Sequence, residues 1–155
     1  MNERGRERDE NARRRKAMAT LAAAPGEMLF EVWRDIDIEI EAKPLRGPET
    51  GLVTLRGRIG GGGVPFNFGE ATVTRATVKL PTGEIGHSYA LGSDKEKASI
   101  SATIDALWQR AESRAEIETR ILAPLRFRLA EADARRSAET AATKVDFFTM
   151  VRGED

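Results

Sequence analysis

Four consecutive glycines, Gly60 to Gly63, invite the first chemical reading of this 155-residue sequence. A glycine-rich loop can turn successive backbone N–H groups toward a phosphate. A Walker loop continues as Gly-Lys-Ser/Thr into a helix, and a dinucleotide-binding fingerprint also opens a helix. Here the run leads into Val64-Pro65-Phe66, which is strand-like and carries no lysine. Two readings stand. One is a flexible loop joining two strands. The other is an anion-binding nest centred on Gly61 and Gly62, to which Arg56, Arg58 and Arg75 add charge if the fold carries them there.

His87 is the single histidine, in Gly86-His87-Ser88-Tyr89, which matches no triad or zinc pattern. A functional histidine needs partners, so His87 is expected to be structural or superficial. Carboxylates are numerous but scattered, and no pair stands out as an acid–base couple. There is no cysteine, which excludes disulfides, a thiol nucleophile and iron–sulfur ligation by this chain. The residues thus point to no catalytic group, metal or cofactor belonging to this chain alone.

The last segment is the most unusual for a terminus. Val145, Phe147, Phe148, Met150 and Val151 fall within seven residues, interleaved with Asp146 and flanked by Arg152. In a strand both faces of this segment would be partly apolar. It either packs on the chain's own core or anchors a partner, since Phe and Met are enriched at interface centres.

The elements that must position these residues follow from periodicity. Residues 1–24 read as a charged helix or arm; its first sixteen positions hold seven basic and four acidic residues, followed by Ala17, Met18, Leu21 and Ala22. Pro25 opens a second helix with Met28, Leu29, Val32, Trp33 and Ile36 on one face. Ile36 to Glu41 alternates as a strand would, and Pro44, Gly47 and Pro48 read as a loop. Eleven of the fourteen glycines lie between Gly47 and Gly92, where four short strands are expected. Ser93-x-x-Glu96 has the spacing of a capping box. Its helix carries Ile100, Ile104, Leu107, Trp108 and Ala111, and Ile117, Ile121, Leu125 and Leu129 continue at a spacing of four. Pro124 should break or restart the helix. The expected class is α+β, a single domain in which a four-stranded antiparallel sheet has N-terminal and C-terminal helices packed on it.

Charge and hydropathy bound the partners. Lys plus Arg is 25 and Asp plus Glu is 25, giving no net charge. With a mean hydropathy of -0.45 and no apolar run near ~20 residues, neither a nucleic-acid coat nor a membrane span is indicated. The first residues lack the apolar core of a signal peptide, so the expected compartment is the cytoplasm.

Lys144 to Gly153, KVDFFTMVRG, resembles the C-terminal signature of the PhnG family, the G subunits of bacterial carbon–phosphorus lyase. Two further stretches are similar to that family. One runs from Glu49-Thr50-Gly51-Leu52-Val53 through Arg58 and the glycine run to Gly69-Glu70-Ala71-Thr72-Val73-Thr74-Arg75. The other runs from Gly92-Ser93-Asp94 to Ile104-Asp105-Ala106-Leu107. Lys95-Glu96-Lys97 departs from the His-Ala with which that family's helix begins.

The resemblance implies a part in organophosphonate catabolism. It implies H, I and J subunits as partners, two copies of each subunit, with no nucleic acid or membrane partner. The complex displaces adenine from C1′ of ATP with a phosphonate, giving α-D-ribose 1-methylphosphonate 5-triphosphate. The I subunit carries the nucleosidase activity, and G is among the subunits that redirect it from water to phosphonate. Later C–P cleavage, with its iron–sulfur cluster and S-adenosylmethionine, belongs to the J subunit. No catalytic residue is implied for the G subunit. The competing reading is a small nucleic-acid-binding or regulatory protein using the Arg-rich N-terminus.

Overall fold

The computed structural model describes residues 3–36, 38, 40–58 and 62–143. Two helices, α1 (Glu3–Ala23) and α2 (Gly26–Arg34), precede three strands, β1 (Lys43–Gly57), β2 (Phe66–Lys79) and β3 (Ile85–Leu91). Helices α3 (Lys95–Gln109), α4 (Ala111–Ile117) and α5 (Ala123–Ala142) follow, with a π-helical turn at Glu118–Leu122 between the last two. The sheet is an antiparallel meander in the order β1-β2-β3.

The class is α+β as expected, but among the described residues the sheet has three strands, not four. Phe66 to Lys79 is one strand. Gly69 interrupts the apolar pattern there without ending the strand: Leu55 pairs with Gly69 and Arg56 with Asn67, so Phe68 of β2 is the extra residue of a bulge. The segment expected to be a loop, with Pro44, Gly47 and Pro48, belongs to β1. Two register shifts, between Pro44 and Arg46 and between Arg46 and Glu49, accommodate it. The Gly47–Pro48 bond is cis and Gly47 has φ 68°, a left-handed conformation that suits glycine. A Cβ at Gly47 would also come within 2.8 Å of the Arg75 carbonyl. Conversely, Ile36, Ile38 and Ile40 lie outside the strands. Their alternation nonetheless has a use: Ile36 is buried, and Ile38 and Ile40 pack against the core.

The helical layer covers one face of the sheet. Thr74, Ala76 and Val78 of β2 and Gly86 and Ser88 of β3 point toward it and are buried. The approach of α3 to β3 is close: a Cβ at Gly86 would meet the Ala102 carbonyl and lie 2.6 Å from the Ala106 nitrogen. Helix α3 also protects the free edge of β3. The Asp105 carboxylate accepts from the His87 backbone N–H at 2.9 Å, and Gln109 Nε2 donates to the Ile85 carbonyl at 2.8 Å. Asp94, not Ser93, caps this helix, accepting from the Lys97 N–H at 2.8 Å.

Trp108, Leu29, Leu80, Ile104, Leu107, Ile117, Ile121, Leu122 and Leu125 form the centre of the core. Each such side chain contributes about 1.5–3 kcal/mol by leaving water. Pro124 does not stop the helical path. Ala123 N–H reaches back five residues to the Glu118 carbonyl, so a widened turn precedes the proline and takes up its missing donor and ring bulk. Beyond Leu129 the exterior of α5 is polar, and most of its residues are exposed.

Candidate functional site

The face of the sheet turned away from the helices gathers the polar side chains that the sequence scatters. Strand alternation sends Arg75, Thr77 and Lys79 of β2 and Ile85, His87, Tyr89 and Leu91 of β3 to this side. Register aligns them in rows: Glu49 opposite Arg75 opposite Tyr89, and Arg46 opposite Thr77 opposite His87. Lys43 stands opposite Lys79 in the next row. Glu49 Oε1 accepts from Arg46 Nε at 2.7 Å and from Arg75 Nε at 2.6 Å. Hydrogen bonds from Arg46 and then Arg75 hold the Glu49 carboxyl below its ordinary range. Thr77 Oγ1 and His87 Nδ1 are 3.2 Å apart.

The same face becomes apolar toward the far end of the sheet. Strand β3 ends at Leu91, opposite Val73, so β1 and β2 continue as a two-stranded ribbon. On β1, Val53, Leu55 and Gly57 share the side of Glu49. Phe66 stands opposite Gly57, and a Cβ at Gly57 would lie 2.9 Å from the Phe68 ring, so Phe68 covers that glycine. The two Phe rings are 6.3 Å apart and tilted by 59°. Leu55, Phe66, Phe68, Tyr89 and Leu91 are all exposed. Leu52, also exposed, is on the opposite side of the ribbon.

Gly62 and Gly63, the described residues of the glycine run, are not brought together with Arg75. Arg58 is exposed at the ribbon tip beside the loop. Arg75 lies nine residues along β2 from Phe66, or about 30 Å at the usual strand rise. Gly61 lies outside the described residues, and a side chain at Gly62 would meet nothing within 4 Å. Val145, Asp146, Phe147, Phe148, Met150 and Arg152 also lie outside the described residues. Arg46, Glu49, Tyr89 and Leu91 were not singled out from sequence. The available signal was a strand pattern with large apolar residues at both parities.

Behind this face, ion pairs tie the helices to one another. Arg14 Nε and Nη2 donate to Asp105 Oδ1 and Oδ2 at 2.9 and 2.7 Å. The pairing with Asp105 raises the Arg14 pKa further. Trp108 Nε1 and Arg126 Nη1 donate to the two Glu118 carboxylate oxygens, each at 2.7 Å. Burial pushes the Glu118 carboxyl up, but the bonds from Arg126 and Trp108 outweigh it and leave its pKa lowered. The Arg114 guanidinium stands 4.6 Å over the Trp108 ring and pairs with Glu10 at 2.6 Å. Lys97 Nζ donates to the Ala22 carbonyl at the end of α1, and burial lowers its pKa. Helix α1 is therefore part of the body of the protein over its second half, not a free arm.

Among the described residues, no three His, Asp or Glu side chains gather as metal ligands, and no helix is long and apolar enough to cross a bilayer.

Comparison with known proteins places this arrangement in a family. The sequence is 56% identical over 144 residues to the alpha-D-ribose 1-methylphosphonate 5-triphosphate synthase subunit PhnG of Rhizobium meliloti (strain 1021). That match spans 93% of this chain and 92% of the relative. A family profile described as phosphonate metabolism protein PhnG matches residues 12–153, which include the tail motif and the strand and helix stretches noted above. The chain belongs to the PhnG family of phosphonate metabolism proteins.

Proposed function

We propose that this chain is an accessory subunit of the carbon–phosphorus lyase core complex. In that role it supports displacement of adenine from C1′ of ATP by a phosphonate, giving α-D-ribose 1-methylphosphonate 5-triphosphate. The observation that carries the reading is the 56% identity, over 93% of the chain, to a protein named as a subunit of that synthase. Its proposed partners are the H, I and J subunits, two copies of each, in the cytoplasm. ATP is substrate of the assembly, and the iron–sulfur cluster and S-adenosylmethionine belong to the J subunit. This chain holds neither.

Two features support a role within a complex. Phe66, Phe68 and Leu91 are exposed on a face of the sheet that the helices among the described residues leave uncovered. The segment Val145–Val151 is apolar, which suits an assembly anchor. By contrast, the arginines of α1 are partly engaged internally, Arg13 with Asp9 and Arg14 with Asp105, which disfavours the nucleic-acid reading.

The test is turnover by parts and by the whole. The isolated chain, given ATP and methylphosphonate, should release no adenine, whereas the co-expressed set of subunits should. Substantial adenine release by this chain alone overturns the accessory-subunit reading.

A further inference from the structure

We infer that the face of the sheet left uncovered by the described helices docks a partner protein whose surface sets an apolar patch beside a cluster of carboxylates. The inference rests on the subunit reading and goes beyond it by naming the surface and the chemistry of what covers it.

An antiparallel sheet with one face on its core normally presents polar residues on the other. Here the second face is divided lengthwise. One end carries Leu55, Phe66, Phe68 and Leu91, the last 73% exposed. The other carries Lys43, Arg46, Arg75 and Lys79, with Glu49 as the single carboxylate among the described residues of the strands on that side. Glu49 takes one nitrogen from each arginine, both at Nε. Their terminal nitrogens have no hydrogen-bond partner among the described residues, so both guanidinium forks remain open to an incoming carboxylate. The surplus of cations calls for acidic residues, and the large side chains call for an apolar patch beside them.

Charge and spacing select among occupants. A second copy laid face to face would set cations against cations or against Phe and Leu, which is not self-complementary. A single-stranded nucleic acid needs cations running alongside its stacking aromatics. In this sheet Tyr89 alone of the exposed aromatics stands beside Arg75, and Phe66 lies nine residues from Arg75 along β2, about 30 Å, so the cations do not follow a run of stacking rings. A protein surface spans that length and matches both halves.

Co-expression of the full chain with the other three subunits, followed by tagged capture and size exclusion, provides the test. Paired substitutions Leu55→Glu with Phe68→Glu should reduce recovery of the complex at least tenfold. Arg46→Glu with Arg75→Glu should also reduce it, more severely at low than at high salt. Circular dichroism and thermal melting of each variant chain report its fold, and Leu91→Glu gives an independent exposed position on the same face. Wild-type assembly with undiminished recovery of folded variants overturns this inference and leaves the subunit reading intact. Failure of the wild-type chain to co-purify overturns the subunit reading itself. A wild-type homodimer in sedimentation that Leu91→Glu dissociates, or retention of a 30-nucleotide single strand that Arg75→Glu abolishes, would each assign the face to another occupant and overturn the inference.

Discussion

Arg14 and Asp105, 91 positions apart, meet as a two-point ion pair that ties the first helix to the helix lying on the sheet. The Asp105 side chain is 1% exposed and also takes the His87 backbone N–H. One carboxylate thus joins α1, α3 and β3. Removing the guanidinium leaves that charge buried with only a neutral donor. Arg14→Ala should destabilise the chain by about 3 kcal/mol, the usual cost of breaking a buried pair on one side. Urea unfolding of the two proteins measures it, and a change under 0.5 kcal/mol, an order-of-magnitude threshold for a surface substitution, would show that the pair is not a structural tie.

Two glycines of the sheet should respond unequally to alanine. Gly86 lies where a Cβ would run into backbone of α3, with Ala106 N at 2.6 Å, and helix backbone cannot rotate aside. Gly86→Ala should cost about 1–3 kcal/mol by overpacking. Gly51 has open space around the position of a Cβ, so Gly51→Ala should leave the midpoint nearly unchanged. Equal effects in thermal unfolding would contradict the close helix–sheet approach.

The Glu118 bridge sets an acid limb. Its carboxyl titrates lower in the folded chain than its ordinary 4.5, because Arg126 and Trp108 favour the charged form. The stability it contributes is present above its unfolded pKa and is lost as pH falls through the lowered folded value. Wild type should therefore lose its advantage over Glu118→Gln progressively below pH 4.5. Parallel stability profiles for the two proteins across that range would refute the assignment.

Deletion of Lys144–Asp155 should leave the helices and sheet folded by circular dichroism, since the core of Leu29, Ile104, Trp108 and Leu125 lies wholly upstream. The shortened chain should fail to enter the complex. A lost folded signal in the isolated chain would instead place the tail on its own core. Full incorporation would remove the tail from the interface.

Much of the helical layer was legible because its cues are local. Leu29 and Val32, Ile104 and Leu107, and Ile117 and Ile121 are spaced as one-sided helices require, and all are buried. The sheet was less legible because its irregularities are tertiary. Pro44 and Pro48 signal a loop locally, yet pairing with Val78 and its neighbours draws them into a bulged strand. Ile36 to Ile40 alternate like a strand, but burial against the core explains the pattern without strand pairing. The outer face was hidden for a related reason. Glu49, Arg75 and Tyr89 form one row only through cross-strand register, which sequence spacing does not encode. Gly62 and Gly63 sit before the start of β2 and Arg75 lies nine residues along it from Phe66, a separation that charge alone does not reveal.

We propose that this chain is required for phosphonate-directed adenine displacement. The most direct measurement is a subunit-omission assay on the co-expressed complex, with ATP and methylphosphonate as substrates and phosphorus NMR as readout. With this chain present, α-D-ribose 1-methylphosphonate 5-triphosphate should accumulate along with free adenine. With this chain alone omitted, the phosphonate product should be lost. Formation of that product at an undiminished rate without the chain would contradict the account.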